Sequence, residues 1–303
     1  MFLAMTIFVT GIQSFIGLAF ARLCRSRGVE VVGVDAAPVT EPGAVTADIR
    51  SPAIADLIPH GASAIVHLAA LSRDPDCRDR GYACFDVNVQ GTLNLMEAAK
   101  VRGVKQFIFA SSEWVYDSFR PGEERDEESP IDATRLTSEY AFSKFVSENN
   151  LRQQAIHGFC PATVLRFGIV YGPRTANWCA AEALLNAVAT QEEVKVGALA
   201  TARRFIHVRD IAESLLAAVG WQRPYDVFNI QGPALVTLGD VISASAELLG
   251  RQPRIVETAP QTPSLRTVSS RKATEVLGWS AAVDLRTGLA DVAEFLGLTG
   301  TRP

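Results

Sequence analysis

The sequence has little cysteine, and no two cysteines stand at short spacing. The chain of 303 residues contains five cysteines and four histidines, with no CxxC motif and no mixed cluster. Zinc sites and disulfide scaffolds need such spacings, so neither is predicted and no metal is expected. Reduced thiols of this kind are typical of a cytoplasmic protein, and we expect that localisation.

An excess of positive charge is also missing. The formal net charge is −4, and hydrophobic residues make up 48% of the chain against 20% charged residues, which is ordinary for a globular protein. Nucleic-acid-binding proteins usually carry a basic surface, so no nucleic acid partner is expected. The sequence shows no internal repeat and no low-complexity linker. Its length fits two domains or one large α/β domain.

One uncharged segment is long enough to be considered as a membrane span. Residues 1–21 carry no charge, but Gly11, Gln13, Ser14 and Gly17 interrupt them and no basic stretch comes first. A span needs about 20 predominantly apolar residues, and a signal peptide begins with positive charge. The segment therefore predicts a buried strand that continues into a helix, with no membrane partner.

The beginning of the chain has the pattern of a dinucleotide-binding unit. Residues 5–11, MTIFVTG, predict a central parallel strand, residues 14–28 predict a helix that stops at Gly28, and residues 29–37 predict a second strand containing Asp35. In such a unit the turn and the helix N-terminus hold a pyrophosphate, and the acid binds ribose hydroxyls. An anionic carboxylate repels a 2′-phosphate, so Asp35 favours NAD over NADP.

The turn itself reads TGIQSFIG at residues 10–17, with Ser14 where a glycine is usual. Glycine lets the backbone approach the phosphates closely. Serine is small and caps helices, and its hydroxyl could donate to a phosphate oxygen. The alternative is that Ser14 is merely an N-cap in a fold that binds no nucleotide.

Strand and helix patterns keep alternating through ASAIVHLAA, FDVNVQGTLNLMEAAKVRG and VKQFIFASS. Repeated βα units predict an α/β fold of the Rossmann type, a doubly wound parallel sheet with helices on both faces. Ligands of such sheets bind at the carboxyl ends of the strands. Ser111 and Ser112 follow the strand QFIFA, and Tyr140 and Lys144 share one helix face at positions i and i+4.

These polar residues fit the chemistry of carbonyl reduction and alcohol oxidation. A lysine cation near a phenol favours the phenolate, so we expect Lys144 to lower the pKa of Tyr140 below its usual value of about 10. Tyr140 would then exchange a hydroxyl proton, Ser112 would hydrogen-bond the same oxygen, and a nicotinamide would exchange the hydride. Tyr-x-x-x-Lys alone would also fit an exposed helix face. Combined with the turn and the strand-end serines, it predicts Ser112, Tyr140 and Lys144 as catalytic residues.

Together the motifs resemble the extended short-chain dehydrogenase/reductase family, in its branch of NAD-dependent nucleotide-sugar epimerases and dehydratases, over nearly the whole chain. The resemblance implies an NAD-binding Rossmann domain over residues 1–170. It also implies a smaller C-terminal substrate-binding lobe over residues 171–303, with some chain exchange between the two. The family forms homodimers through two long helices, which here would be at about residues 78–102 and 139–157.

The resemblance assigns cofactor contacts to several segments. TGIQSFIG, ADIR, HLAA, NVQGT, SSEWVY and YAFSK each match a family motif, and the acidic step in ADIR holds adenine in the family. The implied cofactor-binding residues are Gly11, Ser14, Phe15, Ile16, Gly17, Asp35, Asp48, Ile49, Leu68, Ala69, Ala70, Asn88, Ser111, Tyr140 and Lys144.

Departures from the family pattern narrow the expected reaction. Dehydratases of this branch carry an Asp-Glu pair after the catalytic hydroxyl, where this chain has Glu113 and Trp114. Because the second acid is missing, elimination of water is disfavoured and epimerisation is favoured. Trp114 could shape the sugar pocket or pack in the core. Ile169 replaces a family asparagine that contacts the substrate.

Two arginines match family positions in the substrate half. Arg203 and Arg266 offer two cations for two phosphates, although either could be a surface arginine. The implied substrate-binding residues are Glu113, Trp114, Ile169, Arg203 and Arg266. The expected function is NAD-dependent inversion of carbon 4 of a nucleotide-linked hexose through a 4-keto intermediate. A net NAD-dependent oxidoreductase acting on a keto-sugar or free sugar, and a non-catalytic dinucleotide-sensing protein, are the alternatives.

Overall fold

The computed structural model describes residues 5–117, 119–120 and 122–299. Its strands are β1 (Thr6–Thr10), β2 (Glu30–Asp35), β3 (Ala44–Thr46), β4 (Ala64–His67), β5 (Phe107–Ser112), β6 (Glu124–Arg125), β7 (Ala162–Phe167), β8 (Ile169–Tyr171), β9 (Glu193–Val196), β10 (Ala202–Arg203), β11 (Phe205–His207), β12 (Tyr225–Ile230), β13 (Val236–Thr237), β14 (Arg254–Glu257) and β15 (Thr267–Val268). Its α-helices are α1 (Phe15–Ser26), α2 (Ile54–Leu57), α3 (Asp74–Cys77), α4 (Gly81–Phe85), α5 (Gly91–Arg102), α6 (Glu139–Ile156), α7 (Ala180–Thr190), α8 (Val208–Ala218), α9 (Leu238–Leu249), α10 (Arg271–Leu277) and α11 (Leu285–Phe295).

Seven strands form one central sheet in the order β12-β7-β5-β4-β1-β2-β3. Every neighbouring pair in this sheet is parallel. The strands β4, β5 and β7 are buried along their whole length, because helices cover both faces of a parallel sheet. The predicted Rossmann-type doubly wound sheet is confirmed.

A hydrophobic core lies on each face of the sheet. One core includes Phe20 of α1 and Leu215 of α8, and the other includes Leu95 of α5 and Leu151 of α6. The strand order reverses at β1, which pairs with β2 on one side and with β4 on the other. A doubly wound sheet opens a crevice at the carboxyl ends of its strands where the order reverses.

The predicted first strand, turn and helix are present as β1, a turn and α1. Helix α1 begins after Ser14 and its chain leaves through Gly28, whose φ of 70° suits a residue without Cβ. No helix in the described parts of the chain is long and apolar enough to cross a membrane.

The two long helices expected near residues 78–102 and 139–157 also form. The first consists of α4, a π-helical turn over Asp86–Gln90, and α5, which follow one another directly and end at Gly103 in the left-handed conformation. The second is α6, whose N-cap Ser138 accepts a hydrogen bond from the Ala141 N–H. A π-helical turn inside a helix often marks a functional site.

Residues after β8 build a third, smaller core between α7, α9 and α11, which includes Leu185, Ile242 and Val292. Within the same part of the chain, β12 pairs with β7 in the central sheet. Helix α8 packs on the first core through Ile211 and Leu215. The C-terminal residues therefore contribute both to a separate core and to the central sheet.

Candidate active site

A cavity of about 1710 Å³ lies at the carboxyl ends of β1, β4, β5 and β7. Most of the site residues predicted from the sequence line it. These are Gly11, Ser14, Phe15, Ile16, Asp35, Asp48, Ile49, Leu68, Ala69, Ala70, Ser111, Ser112, Trp114, Tyr140, Lys144 and Ile169. The sheet thus brings together segments that are far apart in the sequence.

The turn between β1 and α1 is packed so closely that two of its positions exclude a side chain. Gly11 has a φ of 71°, and a Cβ there would lie 2.8 Å from the Ala69 nitrogen. A Cβ on Gly17 would lie 2.3 Å from the Gly11 carbonyl oxygen. Gly17 does not line the cavity itself, but its bare backbone allows α1 to start directly behind the turn.

Ser14 is the N-cap of α1. Its Oγ accepts a hydrogen bond of 3.1 Å from the Gly17 N–H, and its carbonyl oxygen accepts one of 2.9 Å from the Leu18 N–H. The helix therefore begins with its N-terminus at the cavity, where the helix dipole favours an anion. The serine in place of the usual glycine serves as a cap in this fold.

Asp35 ends β2 beside this turn. One of its carboxylate oxygens accepts a 2.9 Å hydrogen bond from the Gln13 N–H, and the other accepts one of 2.9 Å from the Ala37 N–H. An ionised carboxylate has about four lone-pair sites, so each oxygen can still accept from a hydroxyl. The carboxylate is thus fixed in place with acceptor capacity left for a ribose.

Asp48 and Ile49 form another part of the cavity wall. Ile49 is 5% exposed, while Asp48 binds the Arg50 guanidinium at 2.5 Å. The hydrogen bond from Arg50 holds the pKa of Asp48 below its usual value. Arg50 also binds Asp86 at 2.5 Å, so it links the ADIR segment to the π-helical turn.

The predicted catalytic residues come together at the end of β5 and the start of α6. The Lys144 ammonium donates a 2.7 Å hydrogen bond to the Ala110 carbonyl oxygen and lies 5.9 Å from the centre of the Tyr140 ring. Tyr140 and Ser112 both line the cavity here, and the Ser112 hydroxyl acts to lower the pKa of the Tyr140 phenol. Ser112 Oγ also accepts from the Trp114 N–H at 3.2 Å.

The expectation that Lys144 lowers the pKa of Tyr140 is wrong. Burial raises the pKa of Tyr140 to about 12, and the hydrogen bond from Ser112 offsets only part of that rise. Burial likewise lowers the pKa of Lys144 to about 8. The lysine does not pull the phenol below 10 because loss of hydration disfavours the charged form of both buried groups.

Ser111 lines the cavity, but its hydroxyl points into a buried polar network. Its Oγ donates to Glu148 at 2.5 Å, and Glu148 forms an ion pair of 2.7 Å with Arg166. Arg166 donates to the Tyr116 hydroxyl at 2.8 Å, which in turn donates to Asn229. Sequence reasoning missed this network, because its members lie on five elements with no shared motif.

Asn88 lies behind the cavity wall, and the described residues that line the cavity do not include it. Its Oδ1 accepts a 2.8 Å hydrogen bond from the Leu71 N–H, and its Nδ2 donates to the Leu71 carbonyl and to Ser143. Asn88 therefore ties the segment after β4 to α6. It positions the cavity wall, and its role in cofactor binding stays a prediction.

His67 is a second buried residue that the motifs did not assign to the site. Its Nδ1 is 2.7 Å from the Thr10 hydroxyl, and its Nε2 is 2.9 Å from the Thr92 hydroxyl. Thr10 Oγ1 accepts from the Ala69 N–H at 3.2 Å. The imidazole thus joins the ends of β1 and β4, where the cavity wall begins.

The substrate-side residues form a separate group next to Trp114. The Arg266 guanidinium stacks 5.3 Å from the Trp114 ring and lies 3.7 Å from Asp117. The backbone N–H of Arg266 donates to the carbonyl oxygen of Ala202. Ala202 precedes Arg203 in β10, so the two arginines lie on neighbouring segments. The charges of both arginines act on the buried carboxyl of Glu113. Of the five residues predicted for the substrate, Trp114 and Ile169 line the cavity, whereas Glu113, Arg203 and Arg266 are not among the residues that line it.

Comparison with known proteins agrees with this geometry. The model of the "NAD dependent epimerase/dehydratase family" matches residues 7–230. The chain belongs to this family. The match spans the cofactor turn, the catalytic segments and most of the central sheet, so the resemblance stated from the motifs is confirmed.

Several relatives in the family carry epimerase names. The uncharacterized UDP-glucose epimerase YtcB of Bacillus subtilis is 26% identical over 83% of this chain and 78% of its own length. A UDP-glucose 4-epimerase of Corynebacterium glutamicum is 24% identical over 98% of both chains. A dTDP-glucose 4,6-dehydratase of Streptomyces griseus is 28% identical over 76% of this chain and 70% of its own. The family membership therefore covers more than one reaction.

Solved structures agree over nearly the whole chain. MoeE5 in complex with UDP-glucose and NAD is 29% identical, with a TM-score of 0.85 over 96% of this chain and 98% of MoeE5. The UDP-glucose 4-epimerase of Thermus thermophilus in complex with NAD is 25% identical, with a TM-score of 0.82 over 98% of this chain and 100% of its own.

The residues of this family member fit NAD, which is the family's cofactor. The turn at Gly11 and Gly17 leaves the backbone bare, α1 points its capped N-terminus into the cavity, and Asp35 presents an anionic acceptor. These are the features that hold a pyrophosphate and an unphosphorylated ribose. Among the described residues, no group of three or more His, Cys, Asp and Glu could hold a metal ion.

Proposed function

We propose that the chain is an NAD-dependent epimerase that inverts carbon 4 of a nucleotide-linked hexose through a 4-keto intermediate. One observation carries the proposal: Ser112, Tyr140 and Lys144 line the same cavity as Gly11 and Asp35. An acid–base group for a sugar hydroxyl thus shares a cavity with a dinucleotide site.

The three catalytic side chains would divide the work as follows. Tyr140 takes the proton of the sugar hydroxyl at its phenolic oxygen and later returns it. Ser112 hydrogen-bonds the reacting oxygen, and the Lys144 ammonium stabilises the phenolate that forms. When bound, NAD supplies the hydride acceptor and then the hydride donor at the sugar carbon.

Trp114 supports epimerisation over elimination of water. A tryptophan has no group that can protonate or deprotonate a carbon next to a keto centre, and Trp114 stands where dehydratases of this branch have their second acid. Its ring lines the cavity on one side and carries the Arg266 guanidinium at 5.3 Å. We propose that Trp114 forms a wall of the sugar pocket.

A nucleotide diphosphate is the proposed handle of the substrate. Arg203 lies in β10 beside Arg266, whose backbone N–H donates to the carbonyl oxygen of Ala202, and burial together with the charge of Arg266 lowers the pKa of Arg203. Two neighbouring guanidinium groups repel each other. A ligand with two phosphates neutralises their charges, and each guanidinium can bind a phosphate in a bidentate way. The binding of UDP-glucose by MoeE5 supports this choice.

A net oxidoreductase acting on a keto-sugar or free sugar is the second candidate. Ile169 favours it, because an apolar side chain lines the cavity where the family has a substrate-binding asparagine. A relative named dTDP-4-dehydro-6-deoxy-D-allose reductase, from a Streptomyces species, is 24% identical over 97% of this chain and 96% of its own length. A reductase would change the NADH concentration during turnover, whereas an epimerase would not.

The deciding experiment is proton NMR of the purified protein with UDP-, dTDP- and GDP-hexoses, following the anomeric signals at constant NADH absorbance. An inverted sugar without net NADH change is the expected result. If no sugar of the panel is inverted and NADH is consumed with a keto-sugar, the reductase proposal replaces this one.

We also propose the division into an NAD-binding domain of residues 1–170 and a substrate-binding lobe of residues 171–303, with β12 and α8 returning to the central sheet. Limited proteolysis with and without a nucleotide sugar tests it. The lobe alone should gain protection from the sugar, and protection spread evenly over both parts would count against the division.

A homodimer is proposed through the long helices of α4–α5 and α6. Tyr82 is 88% exposed and Phe142 is 40% exposed, and Phe142 packs against Phe85 with ring centres 5.6 Å apart. Aromatic residues are enriched in interfaces. Light scattering should report a dimer for the native chain and a monomer for the double variant Tyr82→Glu, Phe142→Glu.

The five free cysteines support the proposed cytoplasmic localisation.

A further inference from the structure

Glu113 is a buried carboxyl group that the proposed mechanism does not use. It follows β5 directly, is 3% exposed, and its Oε1 has no hydrogen-bond partner within the described residues. A buried carboxylate without full hydrogen bonding is costly, and it either pairs with cations or takes up a proton. Glu113 can therefore exist either as a carboxylate stabilised by cations or as a neutral, protonated acid.

Two charged groups act on Glu113, and both belong to the proposed diphosphate site. They are Arg266, in the segment before β15, and Arg203 in β10. Burial raises the pKa of Glu113 to about 7, and the two guanidinium charges limit the rise. Asp117 opposes them indirectly, because it lies 3.7 Å from Arg266.

Gln231 is the polar neighbour of Glu113 and connects it to the cavity. It is completely buried, its amide Nε2 and Oε1 have no hydrogen-bond partner within the described residues, and the amide acts to lower the pKa of the Glu113 carboxyl. A Cβ on Gly168, which lines the cavity, would lie 2.5 Å from the Gln231 Oε1. The Glu113 carboxyl therefore has a buried, unpartnered amide beside the cavity wall as a neighbour and two guanidinium charges acting on it.

We propose that Glu113 takes up one proton from solvent when the substrate's diphosphate binds to Arg203 and Arg266, so that binding of the nucleotide sugar is coupled to protonation of this carboxyl. The inference rests on the proposed function, because it assumes a diphosphate at the two arginines. Without substrate, the charges of the two guanidinium groups favour the Glu113 carboxylate. A diphosphate neutralises those charges and repels the ionised carboxylate, which favours the neutral acid. The step adds one proton to a carboxylate oxygen and breaks no bond in the protein.

The coupling has a direction that follows from linkage. Because the complex holds more protons than the free protein, binding tightens as the pH falls and weakens as it rises. For a free carboxyl with a pKa of about 7, the dissociation constant should rise about fivefold from pH 7 to pH 8. Proton uptake at pH 8 should approach roughly 0.9 per site.

Titration calorimetry of the NAD-saturated full chain with a nucleotide sugar tests the proposal. UDP-glucose, dTDP-glucose and GDP-mannose are screened first, and the tightest binder is titrated at pH 8 in buffers of different ionisation enthalpy. These ligands are diphosphate diesters that do not titrate near neutral pH, so any proton comes to the protein. The variants are Glu113→Gln and, as a matched control, Glu127→Gln. Burial also raises the pKa of Glu127, but Arg203 and Arg266 are not among the charges that act on it.

The proposal predicts uptake of nearly one proton in the native chain and in Glu127→Gln, and uptake near zero in Glu113→Gln. The Glu113→Gln variant should also bind with an affinity that is flat between pH 7 and pH 8. Binding without proton uptake, or uptake that persists in Glu113→Gln, would overturn the proposal and leave the proposed function standing. Failure of every nucleotide sugar to bind would overturn the proposed function and the inference with it.

Discussion

The ammonium group of Lys144 is anchored to the sheet by a 2.7 Å hydrogen bond to the carbonyl oxygen of Ala110. Ala110 stands two residues before Ser112 in β5, so the same strand end fixes the lysine and carries the serine that are predicted to be catalytic. Tyr140 lies one helical turn before Lys144 and lines the same cavity as Ser112. The relative positions of Ser112, Tyr140 and Lys144 therefore follow from the packing of α6 against the end of β5.

Removing the phenolic hydroxyl should stop turnover and leave the fold intact. We expect Tyr140→Phe to lower the turnover number by about 10²- to 10⁴-fold, the usual contribution of a general acid–base group. NAD binding should remain, which equilibrium dialysis checks. Tyr225→Phe is the matched control, because Tyr225 lies in β12 and is not among the residues that line the cavity. Full turnover by Tyr140→Phe would exclude the phenol as the proton carrier, whereas turnover lost with it would rule out a non-catalytic dinucleotide sensor.

The cap at Ser14 leads to a prediction about cofactor affinity. Replacing an N-cap serine by glycine costs a few tenths of a kcal/mol, so Ser14→Gly should change the NAD dissociation constant by at most about twofold. A loss of tenfold or more would show that the hydroxyl is itself a required ligand. Fluorescence titration with NAD measures it.

Replacement of Gly17, unlike replacement of Ser14, should strongly weaken NAD binding. A Cβ at position 17 would lie 2.3 Å from the Gly11 carbonyl oxygen, so Gly17→Ala must displace backbone. We expect it to cost about 1–3 kcal/mol of stability, as overpacking does, and to abolish tight NAD binding. Normal affinity in Gly17→Ala would mean that the turn does not hold the cofactor.

The sequence predicted the parts of the site that depend on local spacing. The pair Tyr140 and Lys144 is fixed by helical geometry, and Asp35 by its place at a strand end, so both could be located without coordinates. The partners of Asn88 could not, because its amide reaches Leu71 and Ser143 across two other elements. The raised pKa of Tyr140 was missed for a related reason. Burial depends on the whole packed structure, and it outweighs the charge of one nearby lysine.

The guanidinium of Arg266 should contribute substrate affinity more than turnover. A hydrogen bond to a charged group is worth about 1.5–3 kcal/mol, so Arg266→Ala should weaken nucleotide-sugar binding by about 10- to 150-fold. The affinity of Arg266→Lys for the nucleotide sugar should lie between those of the native chain and of Arg266→Ala, because lysine keeps the charge but loses the planar stacking on Trp114. The checks are KM and kcat measured separately. Arg271→Ala, whose side chain is 78% exposed, is the control, and a fall in kcat alone would contradict a binding role.

The last prediction concerns pH and stability. Burial lowers the pKa of His67 to about 3, with a smaller contribution from the charge of Lys144. The unfolded chain binds this proton near pH 6.5, whereas the folded protein keeps the imidazole neutral. The stabilisation is therefore complete above pH 6.5 and is lost progressively as the pH falls toward 3. Between pH 7 and pH 5 this residue should cost the native state about 2 kcal/mol of unfolding free energy.

Urea unfolding of the native chain and two variants isolates this contribution. His67→Gln removes the titrating group. Between pH 7 and pH 5, the unfolding free energy of this variant should therefore fall by about 2 kcal/mol less than that of the native chain. Its absolute stability at pH 7 should be lower, since the hydrogen bonds to Thr10 and Thr92 are disturbed. His60→Gln alters an exposed histidine and should keep the native pH dependence. If His67→Gln showed the same loss as the native chain, the histidine would be protonated in the folded protein. The bridge between the ends of β1 and β4 would then carry a charge at the edge of the cofactor cavity.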